Sequence, residues 1–142
     1  MNFVLSIGVK KKLKMAKKRI TIKSAKAKAR KLQDWVAEQV SIITGIPWGK
    51  DCDIEGRPMG QKGVDLILHG KAKELFPFSV EDRWQETWAI PQWIRDSKDN
   101  QAEGTDWLLF CKRSHDKPVV VMDAGVFFNI YRQVLEKEKD KK

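Results

Sequence analysis

The chain has 142 residues, 42% hydrophobic and 33% charged, which fits one compact domain and excludes a disordered chain. Its formal net charge is +9, from 28 Lys and Arg against 19 Asp and Glu, but the excess is unevenly placed. Twelve basic residues precede the first acidic one, Asp34, leaving 16 basic against 19 acidic in the remainder, so a basic arm joins a mildly acidic body and a uniformly basic coat protein is excluded.

Residues 1–23 read as a flexible basic arm in which Lys17, Lys18 and Arg19 crowd together. Such a run is either a solvated tail or a polyanion contact. The apolar start of the chain precedes its lysines, the reverse of a secretory signal. With two cysteines, Cys52 and Cys111, at no metal-binding spacing, the expected setting is reducing and cytoplasmic. Translation from Met15 fits the sequence as well as translation from Met1. The longest apolar runs, such as Val119 to Met122, are too short to cross a bilayer, and no membrane partner is expected.

From Ser24, taken as an N-cap, Leu32, Trp35, Val36, Val40 and Ile43 recur at helical spacing, and Gly45 and Pro47 end the helix. Its first turns carry Lys26, Lys28, Arg30 and Lys31, extending the basic arm along one side. Trp48 to Gly63 reads as irregular. Val64 to Gly70 reads as a strand, followed by a charged turn from Lys71 to Glu74 and a second strand from Phe76 to Trp84, with Pro77 near its start. Alternation puts Phe78, Val80 and Asp82 on one face of that strand and Ser79, Glu81 and Arg83 on the other. A helix is predicted from Pro91 to about Gln101. Strands over Trp107–Cys111 and Val119–Met122 follow, joined by a turn at Ser114–Asp116. A last helix carries Phe127, Ile130, Tyr131 and Val134 on one stripe, with a charged tail from Glu136. The expected architecture is α/β, α-β-β-α-β-β-α, with a mixed sheet of about four strands in a single domain over 24–138.

Asp65 and Glu81 fall on successive strands that a short turn would pair as a hairpin. Paired strands lie only about 4.8 Å apart, so two such carboxylates can share a divalent ion. An ion there activates water and neutralises charge on a phosphodiester. Arg83, two residues beyond Glu81 on the same face, can stabilise that charge. Acidic residues in strands are also commonly solvent-facing, and spacing alone does not separate the two readings.

The order of elements, with a single Asp and then Glu-x-Arg on the next strand, resembles the PD-(D/E)xK nuclease superfamily. More narrowly, the chain from Ser24 to Phe128 is similar to small phage and prophage endonucleases of Holliday-junction-resolvase type. The residues carrying the likeness are Gly60–Asp65, Leu75–Glu81, Gln85–Trp88 and Thr105–Leu109. The resemblance implies a restriction-endonuclease-like core and Mg²⁺- or Mn²⁺-dependent cleavage of DNA in a bacterial host, by a protein that pairs as a homodimer. Asp65 and Glu81 would hold the metal. The family pattern after Val-Glu is Cys-Lys, whereas this chain has Asp82-Arg83, and Pro58 stands where an acidic residue is expected. An arginine keeps its charge but cannot accept a proton.

Further candidates are Glu38 on the first helix as a third metal ligand, and Glu55 as a loop acid able to swing inward. Gln61 and Gln92 could position water or phosphate, and Lys62 or Lys112 could substitute for the missing lysine. Lys26, Lys28 and Arg30 join the arm as DNA contacts. Of the six tryptophans, Trp35 and Trp107 read as core. Trp84, Trp88 and Trp93 follow the site, with at least two of them core and a base-stacking role open for the rest. Two rival readings remain: a DNA-binding protein that keeps the nuclease fold without activity, and an interaction module whose arm docks on an acidic protein.

Overall fold

The computed structural model describes residues 21–58 and 61–141. Helix α1 (Ile22–Thr44) begins at Thr21, whose Oγ1 accepts the Ser24 N–H at 3.1 Å, so the cap lies three residues before the expected Ser24. The helix therefore takes in the last two residues assigned to the arm, and Lys17, Lys18 and Arg19 lie outside the described residues. Gly45 closes the helix at φ 75°, a left-handed conformation that costs glycine little.

The remaining elements are β1 (Ile54–Gly56), β2 (Leu66–Leu68), α2 (Gly70–Leu75), β3 (Phe78–Trp84), α3 (Ile90–Asp99), β4 (Asp106–Lys112), β5 (Val119–Met122) and α4 (Ala124–Asp140). They form an α/β fold around one five-stranded mixed sheet in the order β1-β2-β3-β4-β5. Among the described strands only the β3–β4 pair is parallel, and α3 supplies the crossover that such a pair requires.

Three differences from the sequence reading concern short elements. β1 lies inside the stretch read as irregular, where three residues suffice because each pairs with β2. The first expected strand contracts to three residues, and the expected turn after it is the six-residue helix α2. β2 and β3 are antiparallel neighbours as anticipated, yet they share a single register pair, Leu66 with Val80. The short pairing leaves Asp65 at the mouth of the sheet rather than within it.

The two faces of the sheet bury separate cores. Leu32, Val36, Ala37 and Val40 of α1 pack on Ile54, Leu66 and Val80. On the other face, Trp93 of α3 packs on Trp107, Leu109 and Cys111 of β4, with Trp88 partly buried against them. Trp107 is thus core as expected, and so is Trp93, while Trp88 and Trp84 are half-buried, each against one of the two cores. Trp35 is not core: it is 40% exposed, and Ile43 is 68% exposed, because the buried stripe of α1 runs through Leu32, Gln33, Val36, Ala37 and Val40 instead.

Helix α4 departs furthest from expectation. Its apolar stripe, Phe127, Ile130, Tyr131 and Val134, is exposed, and no residue of the helix is buried. The helix also continues through the expected tail to Asp140, starting from Asp123, whose Oδ1 accepts the Val126 N–H at 3.1 Å.

Candidate active site

Asp65 is fixed by its own backbone before its side chain acts. Its N–H donates to the Val80 carbonyl at 2.9 Å, and its carbonyl accepts the Arg57 N–H at 2.8 Å. The same carbonyl accepts a second hydrogen bond from Gln33 Nε2, which also donates to the Arg57 carbonyl at 3.3 Å. Gln33 reaches across β1 because residue 56 is glycine: a Cβ there would lie 2.9 Å from Gln33 Oε1. A buried amide on α1 thus ties the helix to the Asp65 loop.

The Asp65 carboxylate turns toward β3, where Oδ2 accepts the Asp82 N–H at 2.8 Å. Alternation along β3 sends Glu81 and Arg83 toward α3 and Asp82 toward α1, as the sequence predicts. Glu81 is only 2% exposed, with Oε1 accepting from Asn100 Nδ2 at 2.9 Å and Oε2 from Arg83 Nη1 at 3.1 Å. Arg83 Nη1 also lies 3.5 Å from Asp65 Oδ2 and donates to the Asp82 carbonyl at 2.9 Å, while Nη2 lies 3.6 Å from Asp96 Oδ2 of α3. The guanidinium therefore stands between the two carboxylates expected to hold a metal ion.

Negative charge exceeds what this single guanidinium neutralises. Burial, and then the neighbouring Asp65, push Glu81 up to about 7. The same two causes, in the same order, push Asp82 up to about 8. Asp82 Oδ2 is buried without a hydrogen-bond partner among the described residues. A hard divalent ion suits this donor set, because Mg²⁺ is commonly held by one or two carboxylates with water and phosphate oxygens completing its shell. Asp65 and Glu81 supply those two, in competition with Arg83. Among the described residues no group of three or more His, Cys, Asp and Glu side chains forms an ion cage.

Glu38 does not complete one. It is exposed on α1, off the stripe that faces the sheet, and Gln33 is the α1 side chain that reaches the Asp65 loop. Gln61 is likewise exposed, in the loop before Asp65, as is Lys62. Gln92 acts at one remove, donating to Asp96 Oδ1 at 2.9 Å on the side opposite Arg83. Glu55 lies on β1 and faces a different hollow, shared with Arg30 and Asp34. Lys112 Nζ stands 4.4 Å from the centroid of the Trp84 ring rather than at the carboxylates.

Asp96 and Asn100 were not anticipated, although Asp96 falls mid-way along a predicted helix that must pack near β3 and Asn100 at its C-terminal end. Gln33 carried a signal too, as a polar residue inside an apolar stripe. The basic residues of α1 do not share one side as expected. Lys28 lines a cavity with Lys31, Arg30 faces the Glu55 hollow, and Lys26 is exposed.

No protein-family model matches this chain, and neither a curated protein nor a solved structure matches it. No helix among the described residues is long and apolar enough to cross a membrane.

Proposed function

We propose that this chain is a metal-dependent DNA endonuclease with a restriction-endonuclease-like core, in which arginine stands at the position usually held by lysine. The observation that carries the reading is the convergence of Asp65, Glu81 and Arg83, with one guanidinium nitrogen 3.5 Å and 3.1 Å from the two carboxylates. Asp65 and Glu81 would hold Mg²⁺ or Mn²⁺, which when bound supplies an activated water and charge neutralisation at the phosphodiester. Arg83 offers a planar fork suited to phosphate oxygens and a charge that does not titrate away. Asn100 and Asp96 orient Glu81 and Arg83 from α3. Lys17, Lys18 and Arg19 of the arm, with Lys26, Lys28 and Arg30 of α1, would meet the DNA backbone, where each neutralised phosphate adds affinity without sequence preference.

A second reading is favoured by the same arginine. Its guanidinium fills the space between Asp65 and Glu81 where a cation would sit, which suits a nuclease fold retained for binding alone. Cleavage of supercoiled plasmid and of branched DNA with Mg²⁺ or Mn²⁺, beside Asp65→Ala and with affinity measured in chelator, separates the readings. Cutting abolished by Asp65→Ala supports the nuclease. Tight binding with no cutting in either metal supports the binding protein, and neither activity leaves the interaction module.

A further inference from the structure

Beside the carboxylate site, α1 turns a second face to the sheet. Lys28, Lys31, Leu32 and Trp35 recur at i, i+3, i+4 and i+7, so they share one side of the helix and line one cavity. Its opposite wall is Trp84, Lys112, Ser114 and His115, from the end of β3, the end of β4 and the loop after it. The cavity encloses about 550 Å³, within the range of small-molecule sites.

Three features of the cavity point to the same ligand chemistry. Two indoles line it, and Trp35 keeps 40% of its surface open, an expensive exposure for the largest apolar side chain. Among the described residues three lysines line it and no carboxylate does. Glu86 stays outside the lining, accepting the Ser114 N–H at 3.0 Å.

The indole of Trp84 is also held in place. Its Nε1–H donates to Ser114 Oγ at 3.5 Å, and Lys28 Nζ donates to the same oxygen at 3.4 Å. Lys112 Nζ is fixed over the ring by the carbonyls of Arg113 at 3.1 Å and Asp116 at 2.6 Å. Aromatic faces flanked by fixed ammonium groups suit a flat ligand that carries negative charge at its edge.

We propose that this cavity is a subsite for one unstacked nucleotide, with the base against Trp35 and its phosphate on Lys28 and Lys31, while Lys112 stays over Trp84. The proposal rests on the nucleic-acid reading above and narrows it: Trp84 also borders the neighbouring hollow lined by Asp65, Asp82 and Arg83, so a base seated here brings its strand to the carboxylates. The preferred DNA is one that offers an unpaired base beside the scissile phosphate.

Binding in chelator tests the subsite apart from catalysis. Three labelled duplexes are compared: one with a single unpaired nucleotide, the same with an abasic residue at that point, and one fully paired. Stacking of one base on an aromatic side chain predicts roughly tenfold tighter binding of the first than of the second. Trp35→Ala should remove that difference, and Trp35→Phe should keep most of it. Because Trp35 is substantially exposed, both variants should fold, which a thermal melt verifies.

Equal affinity of the wild type for base-bearing and abasic DNA would overturn the subsite, as would a difference that survives Trp35→Ala. Displacement of the base-bearing probe by deoxyadenosine monophosphate, lost in Trp35→Ala, supports the same chemistry and extends it to free nucleotides. Parallel cleavage assays keep the two readings distinguishable. Cutting without base preference sinks the subsite and spares the nuclease, whereas base preference without cutting does the reverse.

Discussion

Asp82→Asn tests the electrostatics of the site through stability alone. Burial and the adjacent Asp65 raise Asp82 from 3.8 to about 8 in the folded protein. Below the lower value the carboxyl is protonated in both states and costs nothing. Between the two values the unfolded chain releases its proton while the folded chain keeps it, so stability falls as pH rises and levels off above about pH 8. At about 1.36 kcal/mol per pH unit, the loss reaches about 4 kcal/mol by pH 7. Water entry and side-chain relaxation reduce such penalties, so we take about 2 kcal/mol as the working figure.

Asparagine matches the protonated carboxyl in shape and never ionises, so the substitution should restore this loss. In a domain of this size, about 2 kcal/mol corresponds to roughly 8 °C in Tm. Thermal melts of wild type and Asp82→Asn in chelator, taken from pH 4 to pH 8, should coincide at the acid end and diverge steadily above it. A constant offset across the range, or a mutant less stable at pH 7, would refute the assignment of Asp82 as a carboxyl whose burial outweighs the help of Arg83.

Three other outcomes follow from the same arrangement. Millimolar Mg²⁺ or Mn²⁺ should raise the wild-type Tm by mass action, and Asp65→Ala should lose most of that rise; identical responses of the two proteins would place any ion elsewhere. Arg83→Ala leaves the buried Glu81 beside Asp65 with no cation, and equilibrium unfolding in chelator at pH 8 should show a loss of about 3 kcal/mol, with Arg83→Lys much milder. Removing residues 1–20 should weaken DNA binding and flatten the slope of log affinity against log salt, by about 0.9 for each phosphate that the arm no longer neutralises; an unchanged slope would mark the arm as a solvated tail.

The site was more legible than the elements that carry it. Alternation along β3 depends only on the two-residue period of a strand, so the sides taken by Glu81, Asp82 and Arg83 could be read directly. Asp65 needed no accurate strand boundary, because its position beside β3 survives the contraction of β2. Apart from local slips such as the Thr21 cap and the short helix α2, the failures concern partners distant in sequence. Three residues within a glycine-rich stretch become β1 only because β2 lies alongside. The period of α1 shows that an apolar stripe exists, but whether Trp35 belongs to it depends on where the sheet ends above that helix. Glu38, by contrast, falls off that stripe on helical period alone, and the structure leaves it exposed. Gln33 is visible only once Gly56 is seen to leave room for its amide.

The exposed helix α4 has a bearing on cooperativity. Among the described residues nothing buries a side chain of its 17, so there its persistence depends on the Asp123 cap, on Lys137 and Lys139 in the last turn, and on its own hydrogen bonds. Isolated helices of about this length are marginal in water. Amides of α4 should therefore exchange with solvent through local opening, well before those of β3 and β4. On heating, far-ultraviolet ellipticity should begin to fall while the near-ultraviolet signal of Trp93 and Trp107 holds, so the two probes will not trace a single two-state transition. Any calorimetric enthalpy for this protein thus describes the sheet and the helices packed on it, with α4 melting separately.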